Sequence, residues 1–191
     1  MFESDLLDRL SRVHPAIVPL IFIPAIVLFF MLGAPEVSTG ATVALVAGGW
    51  LFWTLMEYWI HRLVFHFEPE SGPGARFHWI IHGVHHDHPN DPLRLVMPPS
   101  VSVPLAAGFY GLFVLTMGSA KGSVFAAGFF LGYLVYDMTH YYLHHFTPKT
   151  RFGKVMRELH MRHHFQDDTR GFGISAPFWD YVFRTPLRRG Q

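Results

Sequence analysis

The sequence predicts an all-α integral membrane protein with about four transmembrane helices and a histidine-rich helical cap on the cytosolic side. Half of its 191 residues are hydrophobic and only 15% are charged, which is too apolar for an ordinary soluble domain. Its fourteen histidines are clustered rather than scattered. At this length we expect a single domain over residues 1–191.

Four apolar stretches are the predicted spans, because each can cross the hydrocarbon slab of about 30 Å as a helix or nearly so. They are Ala16 to Leu32, Ala41 to Ile60, Val101 to Gly118, and Gly122 to Met138. A buried helix of a soluble bundle normally carries a polar stripe. The first stretch has no charged residue, which favours a membrane location.

Basic residues are distributed unevenly between the two sides that these spans define. All Lys and Arg except Lys121 fall in the amino-terminal segment, in residues 61–100 or in residues 139–191. Cytosolic loops of membrane proteins carry the excess of positive charge. We therefore expect both termini, and the cap formed by residues 61–100 and 139–191, on the cytosolic side.

The histidines of the cap form four groups with metal-ligand spacing. The sequence has no cysteine, so any metal must be bound by nitrogen or oxygen. Ten imidazoles exceed the about four to six ligands of one ion, so the count predicts two metals in the cap. The groups are His61 and His66; His82, His85 and His86; His140 and His144; and His160, His163 and His164.

Helix geometry predicts how these histidines converge. The second and fourth groups place histidines at i, i+3 and i+4, which share a helix face, so we expect each trio to point into one site. The third group has two histidines one turn apart. The step from His61 to His66 turns the side chain by about 140° at 3.6 residues per turn, so we expect the helix to end or distort there.

Other polar residues near the four groups have less definite roles. His14, His78, His88 and His145 fall outside the pattern and are expected to be structural. The carboxylates Glu57, Asp87 and Asp137 can each accept the far ring N–H of a ligand histidine. Helix capping or solvation is the alternative, equally good for Asp87 and less suited to Asp137, because a carboxylate near lipid depth is costly.

Seven runs of the sequence together match the motifs of a known family. They are Glu57 to Arg62 with His66, His82 to His86, Arg94 to Pro99, Gly132 to His144, His160 to Phe165, Gly171 to Ser175, and Trp179 to Tyr181. With these runs the chain resembles the fatty acid hydroxylase and sterol desaturase superfamily, and within it the fatty acid 2-hydroxylases. The Tyr-Asp-Met-Thr-His-Tyr-Tyr-Leu-His and Gly-Phe-Gly-Ile-Ser runs are typical of the 2-hydroxylase branch, and the resemblance covers nearly the whole chain.

This resemblance implies an O2-dependent enzyme that inserts one oxygen atom at carbon 2 of a long acyl chain, either free, thioester-linked or amide-linked in a ceramide-like lipid. It also implies that the ten histidines hold a non-haem di-iron centre, with Tyr136 and Asp137 close to the metals and shaping substrate approach. Zinc binds nitrogen ligands more strongly than ferrous iron, so zinc can occupy both sites in a purified sample.

The resemblance also implies partners. Many eukaryotic relatives carry an amino-terminal cytochrome b5 domain, whose His-Pro-Gly-Gly haem motif this sequence lacks. Electrons are therefore expected from a separate redox partner, cytochrome b5-like or ferredoxin-like. The other expected partners are a long-chain lipid substrate and the membrane lipids, with no nucleic acid.

Two alternative functions stay open. One is another reaction of the same superfamily, the hydroxylation or desaturation of a sterol or carotenoid. The other is a metal-binding membrane transporter or sensor, which would require a path of polar residues through the spans. The spans offer almost none beyond Glu57 and Asp137 near their ends.

Overall fold

The structure, a computed structural model, describes residue 8, residues 12–67, residue 69 and residues 71–187, and this part of the chain contains helices and no strand. The all-α prediction is confirmed. The helices are α1 Ile17–Gly33, α2 Thr39–Ile60, α3 Gly72–His78, α4 Val84–Asp87, α5 Pro99–Met117, α6 Ser119–His145, α7 Arg151–Phe165 and α8 Phe178–Val182. Two π-helical segments, π1 His61–Phe65 and π2 Trp79–Gly83, and a 3₁₀ turn Ala34–Glu36 complete the order.

Within the described residues, three helical segments are long and apolar enough to cross a membrane: Ile17–Glu36, Thr39–Phe65 and Pro99–Met117. They overlap the first three predicted spans. The fourth predicted span lies in α6, a helix of 27 residues that is not among these three. Because α6 buries residues such as Val124 and Phe129 against other helices, it need not be apolar on every face.

The described chain divides into two compact units. The first comprises residues 1–54 and 97–135, and the second comprises residues 55–96 and 136–191. All ten histidines of the four sequence groups belong to the second unit. The assignment of residues 1–191 to one domain stays a prediction.

Aromatic rings and glycines pack the helices of the first unit. Phe29 stacks on Tyr110 with ring centroids 4.2 Å apart. A Cβ atom added to Gly128 of α6 would lie 2.1 Å from the carbonyl oxygen of Val46 in α2. Small residues let helix backbones approach closely where lipid supplies no hydrophobic driving force. The contact between α2 and α6 therefore requires glycine at position 128.

Replacing Gly128 with alanine is expected to lower the melting temperature of the purified protein in detergent. The added methyl group meets backbone rather than a movable side chain, and such overpacking typically costs about 1–3 kcal/mol. Gly111→Ala in α5 is the matched control, because a Cβ there meets nothing within 4 Å. Melting temperatures lowered equally by both changes would contradict the close contact.

Candidate metal centre

Ten histidines of the second unit form two groups of five, and within each group one ligand atom per residue lies within 4.8 Å of all the others. These are the ten histidines that the sequence predicts. His14, His78, His88 and His145 lie in neither group. Site 1 comprises His61, His66, His82, His86 and His163, and site 2 comprises His85, His140, His144, His160 and His164.

The structure corrects the prediction that each histidine trio points into one site. In the segment formed by π2 and α4, His82 and His86 belong to site 1, whereas His85 belongs to site 2. The trio on α7 is divided in the same way, since only its middle histidine, His163, joins site 1. Positions i and i+4 differ by about 40° around a helix and i and i+3 by about 60° in the opposite sense, so a trio can reach two sites.

The predicted distortion between His61 and His66 is confirmed. The amide of His66 donates to the carbonyl oxygen of His61 at 3.1 Å, an i to i+5 bond that closes a π turn. A π turn brings residues five apart close to alignment, and such turns recur at functional sites. The two rings consequently meet in site 1, with centroids 4.9 Å apart.

The ring nitrogens of site 1 converge at distances that suit a common ion. His66 Nε2 lies 3.3 Å from His61 Nε2 and 3.1 Å from His163 Nε2. Two nitrogens bound to one ion at about 2.1 Å are separated by roughly 3 to 4 Å. The Nε2 atom of His82 and that of His86 are buried with no hydrogen-bond partner among the described residues. Five imidazoles therefore offer site 1 a nitrogen each.

Site 2 has the same construction. His160 Nε2 lies 2.7 Å from His144 Nε2 and 3.2 Å from His164 Nε2. His85 Nε2 lies 3.1 Å from His164 Nε2. The buried Nε2 atom of His140 has no hydrogen-bond partner within the described chain. Both sites thus fit a metal ion that imidazole nitrogen can hold.

Burial keeps these imidazoles neutral. Loss of hydration, followed by the neighbouring histidines, lowers the pKa of His66 to about 2 and the pKa of His86 to about 3. The pKa of His144 falls to about 3, first through burial and then through His145 and His86. Since metal binding uses the neutral imidazole, the rings are in the form that binds a cation.

Two backbone carbonyls fix the tautomers of two site 1 histidines. The ring Nδ1 of His61 donates to the carbonyl oxygen of Phe172 at 2.7 Å, and that of His163 donates to the carbonyl oxygen of Arg170 at 2.7 Å. Because a carbonyl oxygen only accepts, each neutral ring carries its proton on Nδ1 and leaves the Nε2 lone pair facing the site. Phe172 lies in the Gly-Phe-Gly-Ile-Ser run and Arg170 directly precedes that run, but neither carbonyl could be identified as a histidine partner from the sequence alone.

Tyr136 and Asp137 lie on α6 about one turn before His140. The rings of Tyr136 and His140 have centroids 5.9 Å apart, which places the tyrosine beside site 2. Asp137 is buried, with 2% of its surface exposed. Their roles in substrate approach stay predictions.

Other polar residues near the sites have structural partners. Glu57 accepts from the amide of Ser175 at 2.7 Å and from its hydroxyl, and Asp87 accepts from the indole N–H of Trp79 at 2.7 Å. These hydrogen bonds agree with the alternative of a structural role, and contact of the two carboxylates with ligand histidines stays a prediction. His78 donates to the carbonyl oxygen of Phe65 at 2.5 Å, which agrees with its expected structural role.

The fold and the two sites define a class: a helical protein with a candidate dinuclear centre built from histidine alone. The family model described as fatty acid hydroxylase matches residues 46–185. The chain belongs to the fatty acid hydroxylase family and is a hydroxylating oxidoreductase. The resemblance drawn from the sequence motifs is confirmed.

Similar proteins and a solved structure extend this relationship. The chain is 38% identical over 185 residues to dihydroceramide fatty acyl 2-hydroxylase FAH2 of Arabidopsis thaliana, covering 96% of this chain and 78% of that one. It is 36% identical over 208 residues to fatty acid 2-hydroxylase of Mus musculus, covering 97% of this chain and 56% of the mouse protein. A solved structure of full-length Scs7p, with only the hydroxylase domain visible, matches with a TM-score of 0.94 at 34% identity. The match covers 100% of this chain and 73% of the Scs7p chain.

Single histidine replacements are expected to weaken metal binding at one site each. His163→Ala should reduce bound metal at site 1, and His85→Ala should reduce it at site 2, because each removes one of five converging ligands. Elemental analysis of the purified protein measures the change. His88→Ala is the control, since this exposed histidine lies in neither site. Unchanged metal content in both site variants would contradict the assignment.

Proposed function

We propose that this protein hydroxylates carbon 2 of a lipid acyl chain, in a fatty acid or a ceramide-like lipid, at a non-haem di-iron centre that uses O2. The observation that carries the proposal is the convergence of ten neutral imidazoles into two groups of five. The names of the similar proteins support the substrate class, since they are fatty acid and dihydroceramide fatty acyl 2-hydroxylases.

The proposed reaction needs two electrons from an outside donor. One atom of O2 is inserted into a C–H bond at carbon 2, and the other leaves as water with the two electrons and two protons. Iron, when bound, supplies the redox chemistry that activates O2, which amino-acid side chains cannot supply. Zinc has no redox chemistry, so a zinc-filled site would be inactive. A separate cytochrome b5-like or ferredoxin-like protein is the proposed electron donor.

The protein's own residues hold and orient the reacting groups. The ten histidines hold the ions as neutral ligands, and the buried surroundings of the rings keep water from competing for them. We assign Tyr136 and Asp137 to the positioning of the acyl chain, because both are buried on the helix that carries His140 and His144. Holding the methylene in a fixed position next to the metal centre raises the reaction rate, because the entropy cost of bringing the reacting groups together is met on binding.

Lipid profiling tests the reaction. Cells that express the protein should accumulate 2-hydroxy acyl lipids, and His140→Ala should reduce that accumulation to background because site 2 loses a ligand. His88→Ala should retain the wild-type level. Mass spectrometry that detects altered sterols or carotenoids, with unchanged 2-hydroxy acyl chains, would contradict the proposed substrate.

Metal replacement tests the cofactor. Purified protein reconstituted with ferrous iron and a reductant should consume O2 and form product, whereas the zinc-loaded protein should form none. Equal product from both preparations would contradict an iron-dependent reaction.

We further propose that the termini and the two sites face the cytosol, following the distribution of Lys and Arg. The absence of native cysteine allows a clean test with single engineered cysteines. In spheroplasts or intact cells, an impermeant maleimide should label Ser38→Cys, between α1 and α2, and should label Thr169→Cys only after lysis. Both positions are exposed in the structure. Labelling of Thr169→Cys in intact cells would contradict the proposed orientation.

A further inference from the structure

The segment Gly171–Ser175, here called the tail loop, is held by the buried carboxylate of Asp180, which lies outside the four histidine groups. Asp180 is 3% exposed. Its Oδ1 accepts from the amide of Phe172 at 2.9 Å, and its Oδ2 accepts from the amide of Gly173 at 2.9 Å. A carboxylate that accepts two consecutive backbone amides fixes the orientation of the peptides that carry them.

One of these peptides connects Asp180 directly to site 1. The carbonyl of Phe172 and the N–H of Gly173 belong to a single planar peptide unit. Its N–H donates to Asp180, and its carbonyl oxygen accepts from His61 Nδ1. Asp180 therefore fixes the orientation of the Phe172–Gly173 peptide, and this peptide orients the ring of His61.

A second peptide makes the same connection to His163 through Thr185. The carbonyl of Arg170 accepts from His163 Nδ1, and the N–H of the same peptide, on Gly171, donates to the carbonyl oxygen of Thr185 at 3.0 Å. Thr185 is bound to Asp180 twice: its amide donates to the Asp180 carbonyl at 2.7 Å and its hydroxyl donates to Oδ1 at 2.9 Å.

The backbone of the tail loop is shaped for this arrangement. Gly171 has a φ of 78°, in the left-handed region that favours glycine. A Cβ added to Gly173 would lie 2.5 Å from the carbonyl oxygen of Ala176 and 3.0 Å from Asp180 Oδ2. Glycine at both positions lets the loop approach the carboxylate closely.

Among the described residues, no hydrogen bond joins the tail loop to an imidazole ring of site 2. The buried Nδ1 atoms of His85, His160 and His164 have no hydrogen-bond partner among the described residues. The ring of His144 bonds to the carbonyl of Pro89, which lies outside the tail loop. The two sites therefore differ in what orients their ligands.

We propose that Asp180 is a positioning residue for site 1 alone, acting through the Phe172–Gly173 and Arg170–Gly171 peptides on His61 and His163. The inference rests on the proposed function, because it requires that the two histidine groups bind metal. Loss of a group that orients a metal-bound histidine typically weakens metal affinity about 10–100-fold. The loss here is expected at one site and not at the other.

Cobalt titration of single-site backgrounds separates the two sites. His144→Ala removes a site 2 ligand and leaves site 1, whereas His66→Ala removes a site 1 ligand and leaves site 2. Binding of Co²⁺ is followed by its visible absorption in full-length protein in detergent. Asp180→Asn keeps the size of the side chain and one acceptor oxygen, so it suits the test better than Asp180→Ala, which can fail to fold.

Asp180→Asn in the His144→Ala background should weaken Co²⁺ binding about 10-fold or more and alter the absorption spectrum. In the His66→Ala background, Asp180→Asn should change neither the Co²⁺ affinity nor the absorption spectrum beyond experimental error. Glu36→Gln is the control, because this exposed carboxylate lies in the 3₁₀ turn of the first unit and belongs to neither histidine group. Its effect should be absent in both backgrounds.

Unchanged binding in the His144→Ala background would overturn the inference, and so would equal weakening in both backgrounds, which would indicate a general loss of structure. A wild-type protein that binds no metal would instead refute the proposed function on which the inference rests. If both sites bind Co²⁺ and Asp180→Asn changes the affinity of neither, the proposed function stands and only the positioning role is refuted.

Discussion

The second unit depends on keeping ten imidazoles neutral while their lone pairs face one another. Ring nitrogens approach to 2.7 Å in site 2 and 3.1 Å in site 1. Two full charges only 4 Å apart repel by about 4 kcal/mol at an effective dielectric constant near 20, so protonation of adjacent rings is strongly disfavoured. Converging neutral lone pairs are themselves unfavourable without a cation between them. A bound metal ion would therefore stabilise the folded form of this unit, as in other proteins whose ligands gather around an ion.

The distribution of ligands makes the two sites parts of one assembly. The segment that carries His82 and His85 contributes to both sites, and α7 contributes to both through His160 and His163. Displacing either element changes the ligand geometry of both sites at once. The π turn at His61 and the end of α6 each serve a single site, so they can adjust with less effect on the other.

The residues of the two sites could be predicted from the sequence, whereas their arrangement could not. Residue type and spacing predicted all ten histidines and the distortion at His61, because helical periodicity is a local property. The division of the trios could not be predicted. Successive side chains point about 100° apart around a helix, and only the packing of neighbouring elements decides which site each side chain faces. The roles of the Phe172 and Arg170 carbonyls were equally hidden, because every residue has a carbonyl and only the fold selects those that meet a histidine. The fourth predicted span lies in α6, which is not among the three candidate membrane helices of the described chain, and burial against other helices could not be predicted from its apolar composition.

Ligands that are all neutral imidazoles would leave the charge of two bound divalent ions uncompensated within the two sites. Imidazole does not offset the charge of a divalent ion, whereas carboxylate-rich di-iron bundles offset it with glutamates among the ligands. Three carboxylates of this unit, Glu57, Asp137 and Asp180, are nonetheless buried, each with 3% or less of its surface exposed. Burying a carboxylate is costly unless hydrogen bonds or positive charge compensate it. Ser175 donates to Glu57, and the tail loop and Thr185 donate to Asp180. Two ions bound by uncharged rings would add the positive potential that favours all three carboxylates in their ionised form, so metal and buried acids stabilise one another without sharing a bond.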